Sequence, residues 1–299
     1  MGRVLTRDVS LHIETGGSGP PLVLLHGFTG SSASWTRHIP VFGTRYTVVA
    51  IDLLGHGASD APAEPLRYRI DEAAQDILGV LDHLAIARAS VLGYSMGGRL
   101  ALVLATMAPE RIDRLVLESA SPGLQDPAER EERMTRDSAL ADAIERDGVA
   151  AFVDRWERHP LFASQVRLAP SDRDMLRAVR LAHSARGLAN SLRGMGQGAQ
   201  PPLHGRLPIL SVPALVIVGA LDTAYVAIGR GMSRLIPRAR LVIVPDAGHA
   251  VHLEQPDAFR QAVLEFLEGV PGKTSLGAPE QSCAGGSATG GMDPACKVG

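Results

Sequence analysis

The chain has 299 residues, 45% of them hydrophobic, with 30 basic against 32 acidic side chains and a formal net charge of −2. This length and apolar content suit one large domain or two small ones around a sizeable core, and the balanced charge offers no basic field for nucleic acid or an anionic membrane. The apolar runs, such as 21–25 and 214–218, fall far short of the roughly 20 residues of a membrane-spanning helix.

The N-terminal segment alternates polar and apolar residues from Arg3 to Ile13 and reads as a strand, without the continuous apolar core of a secretory signal. A cytoplasmic location is expected. Gly2 with Thr6 fits the loose myristoylation pattern, but the strand reading of the same residues is preferred.

Short runs of branched aliphatics follow at 9–14, 21–25, 46–51, 90–92, 115–118, 214–218 and 241–244. Patterns with apolar residues three and four apart lie between them and predict helices at 70–84, 98–107 and 256–267. This alternation predicts an α/β fold with a mostly parallel sheet covered on both faces, its first two strands forming an antiparallel edge. It breaks from 122 to 205, where strand runs disappear and the sequence turns helical and arginine-rich. That stretch reads as a helical cap inserted between core segments 1–121 and 206–270. It carries 12 arginines and 12 acidic residues, so most of these charges are expected on solvated faces in helix-supporting pairs.

Residues 271–299 are rich in Gly, Ser, Ala and Pro without periodicity and read as a disordered tail. The only two lysines, Lys273 and Lys297, and both cysteines, Cys283 and Cys296, fall there. Two cysteines thirteen apart without neighbouring histidines match no zinc spacing, so no metal is expected.

The run Gly93-Tyr94-Ser95-Met96-Gly97 is G-x-S-x-G between an apolar strand and a helix. In that setting the turn is tight enough that side chains at 93 and 97 would collide, and the serine is lifted above the sheet. A serine needs a histidine to take its proton, and the histidine needs an acid to fix its tautomer. Asp222 sits just past the strand at 214–218, at the carboxyl edge where open α/β sheets build their sites, and His249 sits in the loop after the next strand. Asp246 and His252 are the rival acid and base. The loop after the strand at 21–25 would place the backbone N–H of Phe28 beside the elbow, with the Met96 N–H as the second oxyanion donor. His26 and His56 read as loop architecture.

These runs, in the order Ser, Asp, His, resemble the α/β-hydrolase superfamily over residues 1–270. A narrower resemblance rests on Gly93-Tyr94-Ser95-Met96-Gly97-Gly98-Arg99, on Glu118-Ser119-Ala120-Ser121-Pro122-Gly123-Leu124, and on Gly187-Leu188-Ala189-Asn190-Ser191-Leu192-Arg193-Gly194-Met195-Gly196 with Ala199-Gln200-Pro201. These are similar to the 2-succinyl-6-hydroxy-2,4-cyclohexadiene-1-carboxylate synthases of menaquinone biosynthesis. The resemblance implies a cofactor-independent lyase in which the Ser95 oxygen, deprotonated through His249 and Asp222, acts as base and pyruvate is expelled from a polycarboxylate.

It also implies substrate contacts from Tyr94, Arg99, Arg133, Trp156 and Arg180, although Arg130, Arg136 and Arg177 lie within a turn of the cap arginines. Arg99 stands out on physical grounds, one helical turn beyond Ser95, where a buried guanidinium requires a carboxylate from substrate or protein. A serine hydrolase of small esters or carbon–carbon bonds and a non-catalytic receptor on the same fold are the alternatives. A monomer and a homo-oligomer are both compatible with the sequence.

Overall fold

In the computed structural model, residues 2–269 are described; the predicted tail and both cysteines lie outside them. Eight strands form one sheet: β1 (Gly2–Thr6), β2 (Val9–Gly16), β3 (Pro21–Leu25), β4 (Thr47–Ile51), β5 (Ala89–Tyr94), β6 (Ile112–Glu118), β7 (Ala214–Gly219) and β8 (Ala239–Val244). Their spatial order is β1-β2-β4-β3-β5-β6-β7-β8. The pairings β1–β2 and β2–β4 are antiparallel, and all others are parallel.

This corrects the predicted edge. The antiparallel partners of the 9–14 strand are β1 and β4, whereas 21–25 lies inside the sheet, parallel to both neighbours. The physical reason is burial. Leu22 to Leu25 are fully enclosed on both faces, as a central parallel strand must be, while β1 and β2 alternate buried and open positions and tolerate one wet side. Arg7, at φ 56, turns the alternating N-terminal segment into a hairpin rather than one long strand.

The helices are α1 (Ile39–Phe42), α2 (Ile70–His83), α3 (Met96–Met107), α4 (Pro127–Trp156), α5 (Pro170–Leu181), α6 (Ala185–Met195), α7 (Thr223–Leu235), α8 (Val251–Glu254) and α9 (Pro256–Leu267). Period-2 alternation along the strands divides the core between the two faces of the sheet. Val23, Leu25, Val49, Ile51, Val91, Leu115 and Leu117 pack with the apolar stripes of α2 and α3. Leu22, Leu24, Val48, Ala50, Leu92, Val116, Leu215 and Ile217 pack with Trp35, Phe42 and the Phe259, Val263, Phe266 stripe of α9.

A third apolar cluster joins α4 to α6 through Ala141, Ile144, Phe152, Val153, Leu188, Ala189 and Leu192. These helices occupy the segment between β6 and β7. α4 is broken at Gly148, whose φ of 84 lies in the left-handed region. The cap charges differ from the expected within-helix pairs. Arg133–Asp137 is one turn apart on α4, but Arg193 of α6 reaches Asp142 and Glu145 of α4, and Arg177 of α5 reaches Asp154 and Glu157. The pairs tie helix to helix because α4 and α6 share one small apolar core and α5 packs against α4, which brings their polar flanks together.

Candidate active site

β5 delivers Ser95 to the carboxyl edge of the sheet, and α3 starts immediately behind it at Met96, two residues earlier than its periodicity predicts. The turn needs both glycines. A Cβ on Gly93 would stand on the Gly97 carbonyl, and one on Gly97 would stand on the carbonyls of Leu25 and His26. Ser95 itself is held at φ 51, ψ −109, a region that an L-residue occupies only under constraint.

His249 Nε2 lies 2.9 Å from Ser95 Oγ, and His249 Nδ1 lies 2.7 Å from Asp222 Oδ2. Asp222 ends the turn after β7, caps α7 by accepting from the Tyr225 amide at 3.2 Å, and so presents its other oxygen to the imidazole. Tyr225 closes the rear of the site with its ring 4.5 Å from that of His249. With Asp222 accepting from Nδ1–H, Nε2 is free to accept the serine proton.

The rivals are placed elsewhere. His252 Nδ1 bonds the buried Glu118 carboxylate at 2.9 Å, and Asp246 is exposed at φ 56. His26 accepts from the Leu53 amide at 3.0 Å and so braces the loop after β3 against the loop after β4. His56 is also buried in that junction, its ring 5.0 Å from His26.

Phe28 and Met96 both line the cavity above Ser95. Among the described residues, neither backbone amide donates to a carbonyl or side chain, which leaves both available to a developing oxyanion. The cavity encloses about 1540 Å³ between the sheet edge and the cap, and Tyr94, Arg99, Arg133, Trp156 and Arg180 all line it. Arg136 does too, whereas Arg130 and Arg177 do not.

The charges of these arginines are spent differently. Arg133 pairs with Asp137 at 2.9 Å and donates to Gln197 at 2.7 Å. Arg180 donates to Glu157 at 3.2 Å and to Gln165 at 3.3 Å, and lies over the Phe162 ring. Arg99 is buried, makes no ion pair among the described residues, and donates to the neutral amide oxygen of Gln200 at 3.0 Å. Burial pushes its pKa down to about 10. Tyr94 stacks edge-on against His252, with ring centroids 4.7 Å apart, and burial raises its hydroxyl pKa well above the usual value. Trp156 packs edge-on against Phe28 at 5.5 Å, so α4 and the loop after β3 share an aromatic contact.

Gln165, Gln197 and Gln200 escaped the sequence reading as site residues. Amides carry no periodicity or charge signal, and only the folded cap brings them to the arginines. Among the described residues no group of three or more His, Cys, Asp or Glu side chains could hold a metal, and no helix is long and apolar enough to cross a membrane.

The family model of the alpha/beta hydrolase fold matches residues 20–256. The chain belongs to the α/β-hydrolase fold family. Within it, the chain is 47% identical over 249 residues, 83% of its length and 90% of its relative's, to a Bacillus subtilis (strain 168) protein provisionally named 2-succinyl-6-hydroxy-2,4-cyclohexadiene-1-carboxylate synthase. It is 34% identical over 249 residues to the synthase of that name from Serratia proteamaculans (strain 568), covering 83% of the chain and 93% of the relative. Among solved structures it superposes on MenH from S. aureus with a TM-score of 0.83 at 34% identity, over 87% of this chain and 98% of that one. This α/β-hydrolase-fold chain is therefore similar in sequence to proteins carrying that synthase name and in structure to MenH.

Proposed function

We propose that this α/β-hydrolase-fold protein is a lyase that eliminates pyruvate from 2-succinyl-5-enolpyruvyl-6-hydroxy-3-cyclohexene-1-carboxylate, giving 2-succinyl-6-hydroxy-2,4-cyclohexadiene-1-carboxylate. The observation that carries the reading is Arg99: a buried guanidinium that makes no ion pair among the described residues, one helical turn from a serine already hydrogen-bonded to a histidine and an acid. A site built only to hydrolyse neutral esters gains nothing from that cost; a site for a polycarboxylate gains a two-pronged anchor. The names of the relatives fix which polycarboxylate is proposed.

In this mechanism His249 Nε2 takes the Ser95 proton, and Asp222 stabilises the imidazolium. The Ser95 oxygen removes the acidic ring proton beside the succinyl ketone. Negative charge develops on the ketone oxygen and is met by the Phe28 and Met96 amides. Collapse of that enolate forms the second ring double bond and breaks the carbon–oxygen bond to the enolpyruvyl group, which leaves as the enolate of pyruvate. A proton from the His249–Ser95 pair converts it to pyruvate, so one substrate yields two products and no water is consumed. Tyr94, Trp156, Arg133 and Arg180 shape and anchor the substrate, and no cofactor is required.

The experiment that tests the reading takes the intact mass of the protein during turnover of the authentic intermediate, with both products identified. Elimination gives pyruvate and the diene with no mass added to Ser95. An acyl adduct on Ser95, with water incorporated into a product, would make the protein a hydrolase instead.

A further inference from the structure

The geometry points to Gln200 as a positioning residue that holds the Arg99 guanidinium by a neutral acceptor and thereby keeps its positive charge available to a substrate carboxylate. This rests on the reading that the cavity takes a polycarboxylate, and it adds a residue outside the triad and the cavity arginines.

Gln200 is fully buried and follows α6, where its backbone amide bonds the Gly196 carbonyl at 3.1 Å. Because a guanidinium only donates, the side-chain oxygen of Gln200 must face Arg99, and the amide nitrogen is then turned away. That nitrogen is buried and has no hydrogen-bond partner among the described residues. An orphaned buried donor destabilises the fold, so Gln200 sits there against local stability.

The segment that carries the amide is itself anchored to the rest of the fold. Gly123, at φ 92, lies against this segment: a Cβ there would come to 3.3 Å from the Pro201 carbonyl oxygen and 3.4 Å from the Gln200 amide nitrogen. The Leu203 amide bonds the Pro122 carbonyl at 2.8 Å, fixing the Ser121-Pro122-Gly123 turn against the segment that carries Gln200. Two stretches far apart in sequence are thus joined at the segment whose Gln200 side chain accepts from Arg99. A carboxylate at position 200 would satisfy Arg99 better and the protein worse. It would form a buried ion pair and consume the charge that substrate must meet, whereas the neutral amide fixes the planar fork and leaves its charge uncompensated.

The test uses the full-length protein and 2-succinylbenzoate, a stable aromatic dicarboxylate that stands in for the ring product, titrated by calorimetry. Gln200→Glu should weaken its binding at least tenfold without lowering the melting temperature. Gln200→Leu should weaken it about threefold to tenfold, and with substrate should raise KM more than it lowers kcat. In an Arg99→Met background, Gln200→Leu should change binding no further, because the acceptor then has nothing to orient; a structural role would cost affinity in both backgrounds. Binding within twofold of wild type for both Gln200 variants, an equal loss in the Arg99→Met background, or no binding by the wild type overturns the inference. If Gln200→Glu does not fold, Gln200→Leu in the two backgrounds decides alone. A protein that shows the expected binding pattern but releases no pyruvate would end the lyase reading while leaving the role of Gln200 standing.

Discussion

His183 Nε2 donates to the Thr29 carbonyl at 2.9 Å, so a residue between α5 and α6 holds the loop that carries the Phe28 amide. Its Nδ1 accepts from the Gly57 amide at 3.1 Å, which fixes the neutral tautomer and adds the loop after β4 to the same knot. His183→Ala leaves the Thr29 carbonyl without this donor. We expect a loss of about 1–2 kcal/mol in urea unfolding and, if the Phe28 amide serves as the proposed oxyanion donor, a lower kcat, since its loop loses one of its contacts with the segment between α5 and α6. Unchanged kcat with lowered stability would confine His183 to a structural role.

Acid should destabilise the protein through its buried histidines. Burial lowers the pKa of His26 to about 4, of His38 to about 3, of His56 well below the usual value, and of His183 below it as well. Each stays neutral in the folded state at a pH where the unfolded chain binds a proton. Their contribution is therefore complete above the unfolded value near 6.5 and is lost as pH falls toward the folded values, by at most about 1.4 kcal/mol per histidine per pH unit. Melting temperatures between pH 7 and 5 should fall steadily on acidification. A flat profile would show that these rings do not control stability in that window.

The elbow holds Ser95 at φ 51, and the strain should be measurable. Ser95→Gly relieves the clash of Cβ with its own backbone and should raise stability by about 1 kcal/mol while abolishing turnover. Ser95→Ala should abolish turnover with little change in stability. Chemical denaturation of the two variants separates the effects; because glycine loses about 0.4–1 kcal/mol to unfolded-chain entropy, a Ser95→Gly less stable than Ser95→Ala by that amount would mean that the serine backbone is not strained.

Arg99 gives the sharpest division between binding and folding. Arg99→Lys should lower kcat/KM at least about tenfold, because an ammonium cannot reproduce a two-pronged contact with a carboxylate. Arg99→Met should lose more activity yet be no less stable than wild type, since it removes a buried charge that makes no ion pair among the described residues. A large loss of stability in Arg99→Met would assign the residue to the architecture of the fold.

Much of this site is legible in the sequence because it depends on local geometry. Gly93, Ser95 and Gly97 encode the strand-to-helix turn by what the backbone there can tolerate, and Asp222 and His249 follow aliphatic runs that end at the carboxyl edge of the sheet. Where tertiary packing decides, the sequence is quiet. The place of β3 at the centre of the sheet, with β2 turned antiparallel beyond it, depends on which strands are covered on both faces, and that requires the helices to be in place. The cap arginines show the same limit. Arg177 and Arg180 sit one turn apart on α5, yet only Arg180 faces the cavity, because the helix rotation is set by packing such as that of the buried Leu176. Gln200 lies in one of the runs that carry the family resemblance, but its bond to Arg99 spans 101 positions and no spacing announces it.

The decisive measurement is a coupled assay in which the enolpyruvyl intermediate is generated in situ by the preceding pathway enzyme. Pyruvate and ring product are then followed with wild-type protein, with Ser95→Ala and without enzyme. The no-enzyme rate is subtracted from each trace, and the ring product is identified in every arm. Rapid pyruvate release with the cyclohexadiene acid, abolished in Ser95→Ala, is the expected result. Release at the no-enzyme rate from folded wild-type protein would contradict the lyase assignment and leave only the fold and the Ser95, His249 and Asp222 constellation.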